Sequence, residues 1–267
     1  MIPIRDANPT RRIPFLTLAF IAANVVVFLL WQPTFGTEAE QQGFFFCQAQ
    51  IPYELTHQTS LADGGAGARQ ALDDDFGPGA GRTIQPFLEQ ACPQKGWIAS
   101  VFVAMFLHGG WLHIGGNMLF LWVFGNNVED RLGRALFPIF YLLGGVAATG
   151  LQVAFDPSST VPSLGASGAI GAVLGAYAVL FPHARVTTLV IFFFITVVEL
   201  PAVFVLGAWF VLQVFSGAGQ LGTEVNGGVA FWAHVGGFAF GAIVAWLFFR
   251  RRGPTHVYRM PPRPDTF

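Results

Sequence analysis

The chain of 267 residues is 53% hydrophobic and only 11% charged. So few charged side chains cannot cover a water-exposed surface, and the composition therefore excludes an ordinary soluble globular protein. The net charge of −1 carries little information by itself, whereas the positions of the charges do. The 29 phenylalanines and 32 glycines favour a membrane protein, because Phe faces acyl chains well and Gly allows helices to approach closely.

The first predicted transmembrane span is Ile13–Trp31, a run of nineteen residues without a charge that follows Arg12. At about 1.5 Å per residue, a helix of this length crosses a hydrocarbon core of about 30 Å. A cleaved signal peptide is the competing interpretation, but its apolar run is usually only ~7–15 residues long, and Trp31-Gln32-Pro33 is a poor cleavage site. We therefore expect an uncleaved anchor, with residues 1–12 in the cytoplasm.

A long external loop, 32–97, is predicted to follow this span, with eight acidic and three basic residues. Its second part, Ala62–Arg82, is rich in Gly, Ala and Asp and is predicted to be mobile. Cys47 and Cys92 both lie in the loop. They could form a disulfide on an oxidising side of the membrane or remain two unpaired thiols, because spacing alone does not show whether they meet.

The remaining spans are predicted from further charge-free runs, each long enough to cross the membrane. Four such runs are Ile98–Val128, Ala135–Phe155, Pro157–Ala184 and Val225–Phe249. Between the last two lies Val186–Phe215, which is interrupted only by Glu199 and could hold one span or two.

The arginine clusters distinguish these topologies. They lie at Arg5, Arg11 and Arg12, at Arg131 and Arg134, at Arg185, and at Arg250, Arg251 and Arg252. A single span near Leu200–Phe215 puts all of them in the cytoplasm, as the positive-inside rule requires, and the total is then six spans. The six-span domain is therefore 13–249, with a cytoplasmic basic tail at 250–267. Val186–Val198 is predicted to be an apolar entry to the fifth span, either interfacial or the tilted start of that helix.

Five polar side chains within the predicted spans stand out, because polar groups inside a membrane are costly and usually functional. They are His108, His113, Asn117, Ser167 and His234. Counted from the inner end of each span, Ser167, His234 and His113 lie about 22–24 Å above the cytoplasmic edge, and Asn117 about 18 Å. His108, at about 31 Å, falls at the outer edge. Four of the five therefore share one layer, on three different helices.

Acyl transfer is the chemistry that this layer favours. A Ser hydroxyl is a poor nucleophile until an imidazole accepts its proton, so Ser167 and His234 would act together if their helices packed closely. His113 and Asn117 lie four residues apart on one helical face and, with the backbone N–H of Ser167, could stabilise an oxyanion. Taken singly, a glycine-flanked Ser or an intramembrane His more often serves helix packing. No CxxC or HExxH pattern is present, and neither a metal nor a cofactor is expected.

The polar residues belong to motifs that resemble those of the rhomboid family of intramembrane serine proteases. The motifs are GxSG at Gly165–Gly168, AHxxGxxxG at Ala233, His234, Gly237 and Gly241, HxxxN at His113 and Asn117, His108 five residues before His113, and ExR at Glu129 and Arg131. Their order and spacing agree with the family across residues 98–249. The resemblance implies an all-α membrane protein, a six-transmembrane-helix rhomboid bundle with a long first external loop.

The resemblance also implies a role for each motif residue. Ser167 would be the nucleophile and His234 the general base of a dyad, His113, Asn117 and the Ser167 N–H would form the oxyanion hole, and Glu129 and Arg131 would be structural. The position one turn after the nucleophile is often aromatic in the family and stacks on the histidine. Here it is Gly171, so the orientation of His234 stays open.

The function implied is cleavage of transmembrane protein substrates near the outer face of the lipid bilayer. The alternative is a non-catalytic rhomboid-like protein that binds or escorts membrane clients. A transporter is disfavoured, because Glu199 is the only carboxylate in question and no inverted repeat is evident. We expect a bacterial inner membrane location with both termini cytoplasmic and no nucleic-acid partner; the oligomeric state stays open.

Overall fold

The computed structural model describes residues 1–191, 195–220 and 230–250. Helices make up most of this part of the chain. They are α1 (Phe15–Val26, extended by a π-helical turn Val27–Trp31), α2 (Glu38–Gln48), α3 (Pro52–His57), α4 (Gly65–Phe76), α5 (Ala80–Ala91), α6 (Trp97–Ala104), α7 (Trp111–Leu132), α8 (Leu136–Phe155), α9 (Ser167–Leu180), α10 (Ala202–Gln220) and α11 (Phe231–Val244, extended by a π-helical turn Ala245–Phe249).

Helix α9 lies at the centre of the bundle, packed between α8 and α11. Every residue from Gly168 to Tyr177 is buried. Small residues make this possible, because a Cβ added at Gly237 would lie 2.0 Å from the Gly168 carbonyl oxygen, and one at Gly241 would lie 1.8 Å from that of Ala172. The backbones of α9 and α11 are therefore in direct contact, as the GxxxG pattern of α11 predicts.

Two helices in the described residues are long and apolar enough to cross a membrane, Leu136–Phe155 and Phe231–Phe249. Shorter apolar helices are Phe15–Trp31, Ser167–Leu180 and Ala202–Ala218. The start of the last predicted span and the predicted basic tail beyond Arg250 lie outside the described residues.

The predicted span Ile98–Val128 is divided in the structure. Helix α6 ends at Ala104, and α7 begins at Trp111 after a turn at Gly109 and Gly110. Gly110 has a φ of 155°, a backbone conformation that residues with a Cβ rarely adopt. Similarly, the predicted span Pro157–Ala184 is helical only from Ser167 onward, because residues 156–166 form an irregular segment that leads to the helix.

The prediction of a mainly helical protein is confirmed, but the chain is not all-α. The strands β1 (Ile2–Asp6), β2 (Arg185–Ile191) and β3 (Ile195–Pro201) form an antiparallel sheet in the order β1-β2-β3. Val186–Val198 is predicted as an apolar entry to the fifth span, but its described parts, 186–191 and 195–198, belong to this sheet. Both parts are rich in β-branched residues, which favour strands. Glu199 pairs with Thr187 in the β2–β3 register, and its carboxylate lies 3.6 Å from the exposed Arg185 guanidinium.

The segment 32–97, predicted to be an external loop, contains a layer of helices, α2–α5, with a hydrophobic core of its own; we call it the external layer after that prediction. The predicted mobile segment Ala62–Arg82 contains α4, which buries Ala68, Ala71 and Leu72 in this core, so that prediction is also wrong. Cys47 and Cys92 form a disulfide in the structure, with Cα atoms 5.4 Å apart, which joins the end of α2 to the residue after α5.

Candidate active site

Ser167 is the first residue of α9, at the end of the helix opposite the sheet. Gly165 turns the chain into the helix with a φ of 124°, and its N–H donates to the Ala104 carbonyl at 2.8 Å. A Cβ at Gly165 would lie 2.7 Å from His113 Nε2, so only glycine leaves room for the imidazole here. The first N–H groups of α9 have no partner one turn earlier in the helix and therefore remain available near the Ser167 side chain.

Ser167 and His234 meet directly. The hydroxyl Oγ of Ser167 lies 2.7 Å from Nε2 of His234, on the neighbouring helix α11. The close approach of α9 and α11 at Gly168 and Gly237 brings the two side chains within hydrogen-bonding distance. A Ser hydroxyl that donates to a neutral imidazole nitrogen is the arrangement in which a base can accept its proton.

Gln213 contacts the other side of the same imidazole. His234 Nδ1 lies 2.8 Å from Oε1 of Gln213, a partly buried residue of α10. Because a carboxamide oxygen only accepts, this contact puts the ring proton on Nδ1 and leaves Nε2 as the acceptor that faces Ser167. Sequence reasoning missed Gln213, although a strongly polar residue in an otherwise apolar helix was a usable signal.

The orientation of His234, which the presence of Gly171 left open, depends on α10 in this structure. A Cβ at Gly171 would lie 3.1 Å from the His234 carbonyl oxygen and 3.3 Å from the Phe238 nitrogen, so α9 and α11 are in tight contact here and no side chain of α9 lies against the imidazole at this position. The Trp209 ring lies instead beside the imidazole, with centroids 5.8 Å apart and an interplanar angle of 37°.

His113 and Asn117 project from α7 towards Ser167. The N–H of Gly109 donates to His113 Nδ1 at 3.2 Å, so the proton of a neutral His113 ring is on Nε2. Asn117 is 8% exposed, and its Nδ2 has no hydrogen-bond partner in the described part of the chain. Both side chains therefore present N–H donors that a ligand could use.

A cavity of about 440 Å³ lies between α7, α9, α10 and α11. Its polar wall consists of His113, Asn117, Ser167 and His234. Its apolar wall includes Leu112, Phe120, Ile170, Leu174 and Trp209. An extended peptide segment could enter such a space and place a carbonyl carbon against the Ser167 hydroxyl.

His108 is fully buried beside the site, and its ring packs edge-on against His113 with centroids 5.1 Å apart. Gln32 holds the His108 backbone on both sides, because its Nε2 donates to the His108 carbonyl at 2.5 Å and its Oε1 accepts from the His108 N–H at 3.0 Å. Gln32, at the end of the first predicted span, is a second polar contact that the sequence did not predict.

Glu129 and Arg131 lie in the last turns of α7, at the end of the bundle opposite Ser167. The Glu129 carboxylate accepts from the N–H groups of Leu16 and Thr17 at 3.0 and 2.7 Å, and so satisfies the first turn of α1. Arg131 donates to the Phe249 carbonyl at 2.8 Å, at the end of the last helix. Each motif residue thus contacts backbone groups at the end of another helix.

Within residues 1–191, 195–220 and 230–250, no group of three His, Cys, Asp or Glu side chains is arranged to hold a metal ion.

Comparison with known proteins identifies the family. A family model described as Rhomboid domain matches residues 95–251. Rhomboid protein 1, mitochondrial, of Saccharomyces cerevisiae is 30% identical over 161 residues, which are 57% of this chain and 43% of the relative. Presenilin-associated rhomboid-like protein A, mitochondrial, of Danio rerio is 38% identical over 85 residues, 31% of this chain and 22% of the relative. RHOMBOID-like protein 4 of Arabidopsis thaliana is 25% identical over 237 residues, 88% of this chain and 52% of the relative.

The chain matches less than half the length of the first two of these relatives. The family model, however, covers more than half of the 267 residues, including all of α6–α11. The chain therefore belongs to the rhomboid family of integral membrane proteins.

Proposed function

We propose that this protein is an intramembrane serine endopeptidase that cleaves transmembrane protein substrates near the outer face of the membrane. The observation that carries the proposal is the 2.7 Å contact between Ser167 Oγ and His234 Nε2 at the wall of the cavity. A partly buried Ser–His pair beside N–H donors is the arrangement that acyl transfer requires.

The proposed reaction begins when Ser167 Oγ attacks a substrate carbonyl carbon while His234 Nε2 accepts the hydroxyl proton. The carbonyl oxygen becomes an oxyanion, which the N–H donors of His113, Asn117 and the Ser167 backbone stabilise. His234 then gives the proton to the leaving amine, and an acyl-enzyme remains on Ser167. Attack by water, again with His234 as base, releases the second product and restores the hydroxyl.

The proposed orientation has six spans, α1, α7, α8, α9, α10 and α11, and both termini in the cytoplasm, in a bacterial inner membrane. The clustered arginines within the described residues support it because they lie at one end of the bundle. The Arg11 N–H donates to the Asp130 carboxylate at 3.2 Å, and Arg185 lies in the strand that pairs with β1. Ser167 begins α9 at the opposite end, near the outer face in this orientation.

Covalent labelling with a fluorophosphonate probe tests the proposal, because such probes react only with an activated serine. The detergent-solubilised parent should be labelled, and Ser167→Ala and His234→Ala should each abolish labelling. Two matched controls are available in Ser216→Ala, an exposed serine of α10, and His183→Ala, an exposed histidine after α9. Both should be labelled like the parent.

Peptide mapping should then place the probe on Ser167. A folded, monodisperse parent that is not labelled would contradict the proposal and favour a rhomboid-like protein that binds membrane clients without cleaving them. Labelling that persists in Ser167→Ala would likewise overturn the assignment of the nucleophile.

A further inference from the structure

We propose that Gln213 is a positioning residue that holds His234 in the tautomer and orientation needed to accept the Ser167 proton. This inference rests on the proposed function of the same site. It adds a third side chain, from a third helix, to the pair that the motifs predict. The contact that carries it is the 2.8 Å distance from His234 Nδ1 to Gln213 Oε1.

The tautomer is the first argument. A neutral imidazole has one N–H, and only the nitrogen without it can accept a proton from Ser167. An acceptor at Nδ1 retains the proton there and leaves Nε2 free, whereas a histidine without such an acceptor also populates the tautomer with the proton on Nε2. Gln213 Oε1 is such an acceptor and lies opposite the contact with Ser167.

The second argument concerns orientation. Gly171 has no side chain that could pack against the His234 ring, and a Cβ there would lie only 3.1 Å from the His234 carbonyl oxygen. Trp209 and Gln213 are four residues apart on α10 and so lie on the same face of the helix. One contacts the imidazole ring and the other its Nδ1, so α10 performs the orienting role that α9 does not.

Helix α10 is itself anchored at its first residues. The N–H of Ala202 donates to the Ala184 carbonyl at 2.8 Å, and that of Val203 donates to the Pro182 carbonyl at 3.1 Å. These bonds tie the start of α10 to the turn after α9. The helix that carries Gln213 is therefore fixed relative to the helix that carries Ser167.

The decisive comparison is between Gln213→Leu and Gln213→Glu. Leucine removes the acceptor while approximately keeping the volume, and glutamate keeps an acceptor and adds a charge. The second-order rate of fluorophosphonate labelling, measured across pH, should fall roughly 10- to 100-fold in Gln213→Leu, the size expected for loss of one buried hydrogen bond. Gln213→Glu should retain labelling. The acid limb of its profile, the low-pH side of the curve of labelling rate against pH, should move to higher pH because a carboxylate stabilises the imidazolium.

Leu212→Met is the matched control, since Leu212 is an exposed neighbour on the same helix, and it should label like the parent. A purely structural role of Gln213 would lower the amount of folded protein in both Gln213 variants without moving the acid limb. Equal labelling of Gln213→Leu and parent, or identical acid limbs in Gln213→Glu and parent, would overturn the proposal.

A readout independent of activity separates this proposal from the proposed function. In the folded parent labelled with ¹⁵N-histidine, the two-bond ¹H–¹⁵N spectrum should show His234 with its proton on Nδ1, assigned by loss of its signals in His234→Ala. Gln213→Leu should give a mixture of tautomers. If the parent shows this tautomer but is not labelled by the probe, the proposed function fails while the positioning contact stands; a parent with its proton on Nε2 would refute the contact.

Discussion

Two groups of helices are well packed, the central helices α8, α9 and α11 and the helices α2–α5 of the external layer. Different kinds of interaction hold each group together. The central helices contain no Asp, Glu, Lys or Arg, and α9 meets α11 through backbone contacts at glycines. The external layer instead has a disulfide, a buried ion pair between Glu54 and Lys95 at 2.8 Å, and a capping box at Thr37 and Glu40.

The difference follows from the solvent of each region. Lipid is as apolar as the side chains, so apolar burial does not drive helix association, and close van der Waals contact between small residues must do so. Water supplies the hydrophobic effect to the external layer, where polar groups can be exposed or paired at modest cost. The few polar side chains of the central helices consequently stand out as functional candidates.

The two regions are joined at the segment that leads to Ser167. The Asp75 carboxylate accepts from the N–H and the hydroxyl of Thr160 at 2.5 and 2.6 Å, and the N–H of Ser163 donates to the Gln50 carbonyl at 2.7 Å. The external layer thus holds the irregular segment 156–166 through these hydrogen bonds. This gives the external layer a structural role next to the site.

The largest expected effect comes from breaking the glycine contact of the central helices. In Gly241→Ala, the new Cβ would lie 1.8 Å from the Ala172 carbonyl oxygen, so α9 and α11 must separate. We expect a loss of about 4 kcal/mol or more in the free energy of unfolding, together with loss of Ser167 labelling. Thermal unfolding in detergent measures the first effect and the fluorophosphonate probe the second.

Gly150→Ala is the control for that change, because no atom lies within 4 Å of a Cβ at this position of α8. It should be neutral or slightly stabilising, since Ala is the better helix former. If Gly241→Ala unfolded at the same temperature as Gly150→Ala, the glycine contact would not be what holds α9 against α11.

The ion pair of the external layer should give the next largest effect. Lys95 and Glu54 are only 3% and 2% exposed, and burial raises the pKa of Glu54 and lowers that of Lys95. Lys95→Met leaves a buried carboxylate without its cation and should cost about 3–5 kcal/mol. The cost should grow with rising pH, because the unpaired Glu54 must take up a proton to stay buried.

The double variant Lys95→Met with Glu54→Gln tests this interpretation, because it removes both charges. It should be more stable than Lys95→Met alone, and its stability should lack the added pH dependence when followed by thermal unfolding at pH 5 and pH 8. Equal stability of the single and double variants would show that the carboxylate, once alone, is not the source of the cost.

The sequence predicts part of the candidate site but not the β-sheet. The proximity of Ser167 and His234 could be predicted, because helix rise puts them at similar heights on their helices, and the structure places Ser167 Oγ 2.7 Å from His234 Nε2. The sheet could not be predicted, since the mostly apolar run Val186–Val198 has no clear period that separates strand from helix. Its partner strand β1 also lies about 180 residues earlier in the chain.

Tertiary contacts explain the other differences. Helix α4 contains Gly and three consecutive Asp residues, a composition with weak helix propensity, and it is stabilised by burial of Leu72 and Ala68 in the external core. Gln213 pairs with His234 across two helices, a contact that depends on the rotation of α10 about its own axis. Spacing within a single helix does not contain that information.

The smallest predicted effect concerns the sheet β1-β2-β3, whose attachment to the bundle should depend on pH. The Asp6 carboxylate accepts from Asn127 Nδ2 and from the Tyr177 hydroxyl, both at 2.6 Å, and burial raises the pKa of Asp6 from 3.8 to about 6. A carboxyl whose pKa is higher in the folded state stabilises the fold fully below about pH 4, and this contribution is lost as the pH rises through about 6.

The shift corresponds to about 2–3 kcal/mol between those limits. Asp6→Asn removes the titration while keeping a carboxamide oxygen that can accept from Tyr177. The parent should therefore lose thermal stability relative to Asp6→Asn between pH 4.5 and pH 7, and the difference should be constant at higher pH. A difference in melting temperature that did not change with pH would mean that Asp6 titrates in the folded protein as it does in the unfolded chain, and that the sheet is attached without a buried carboxyl.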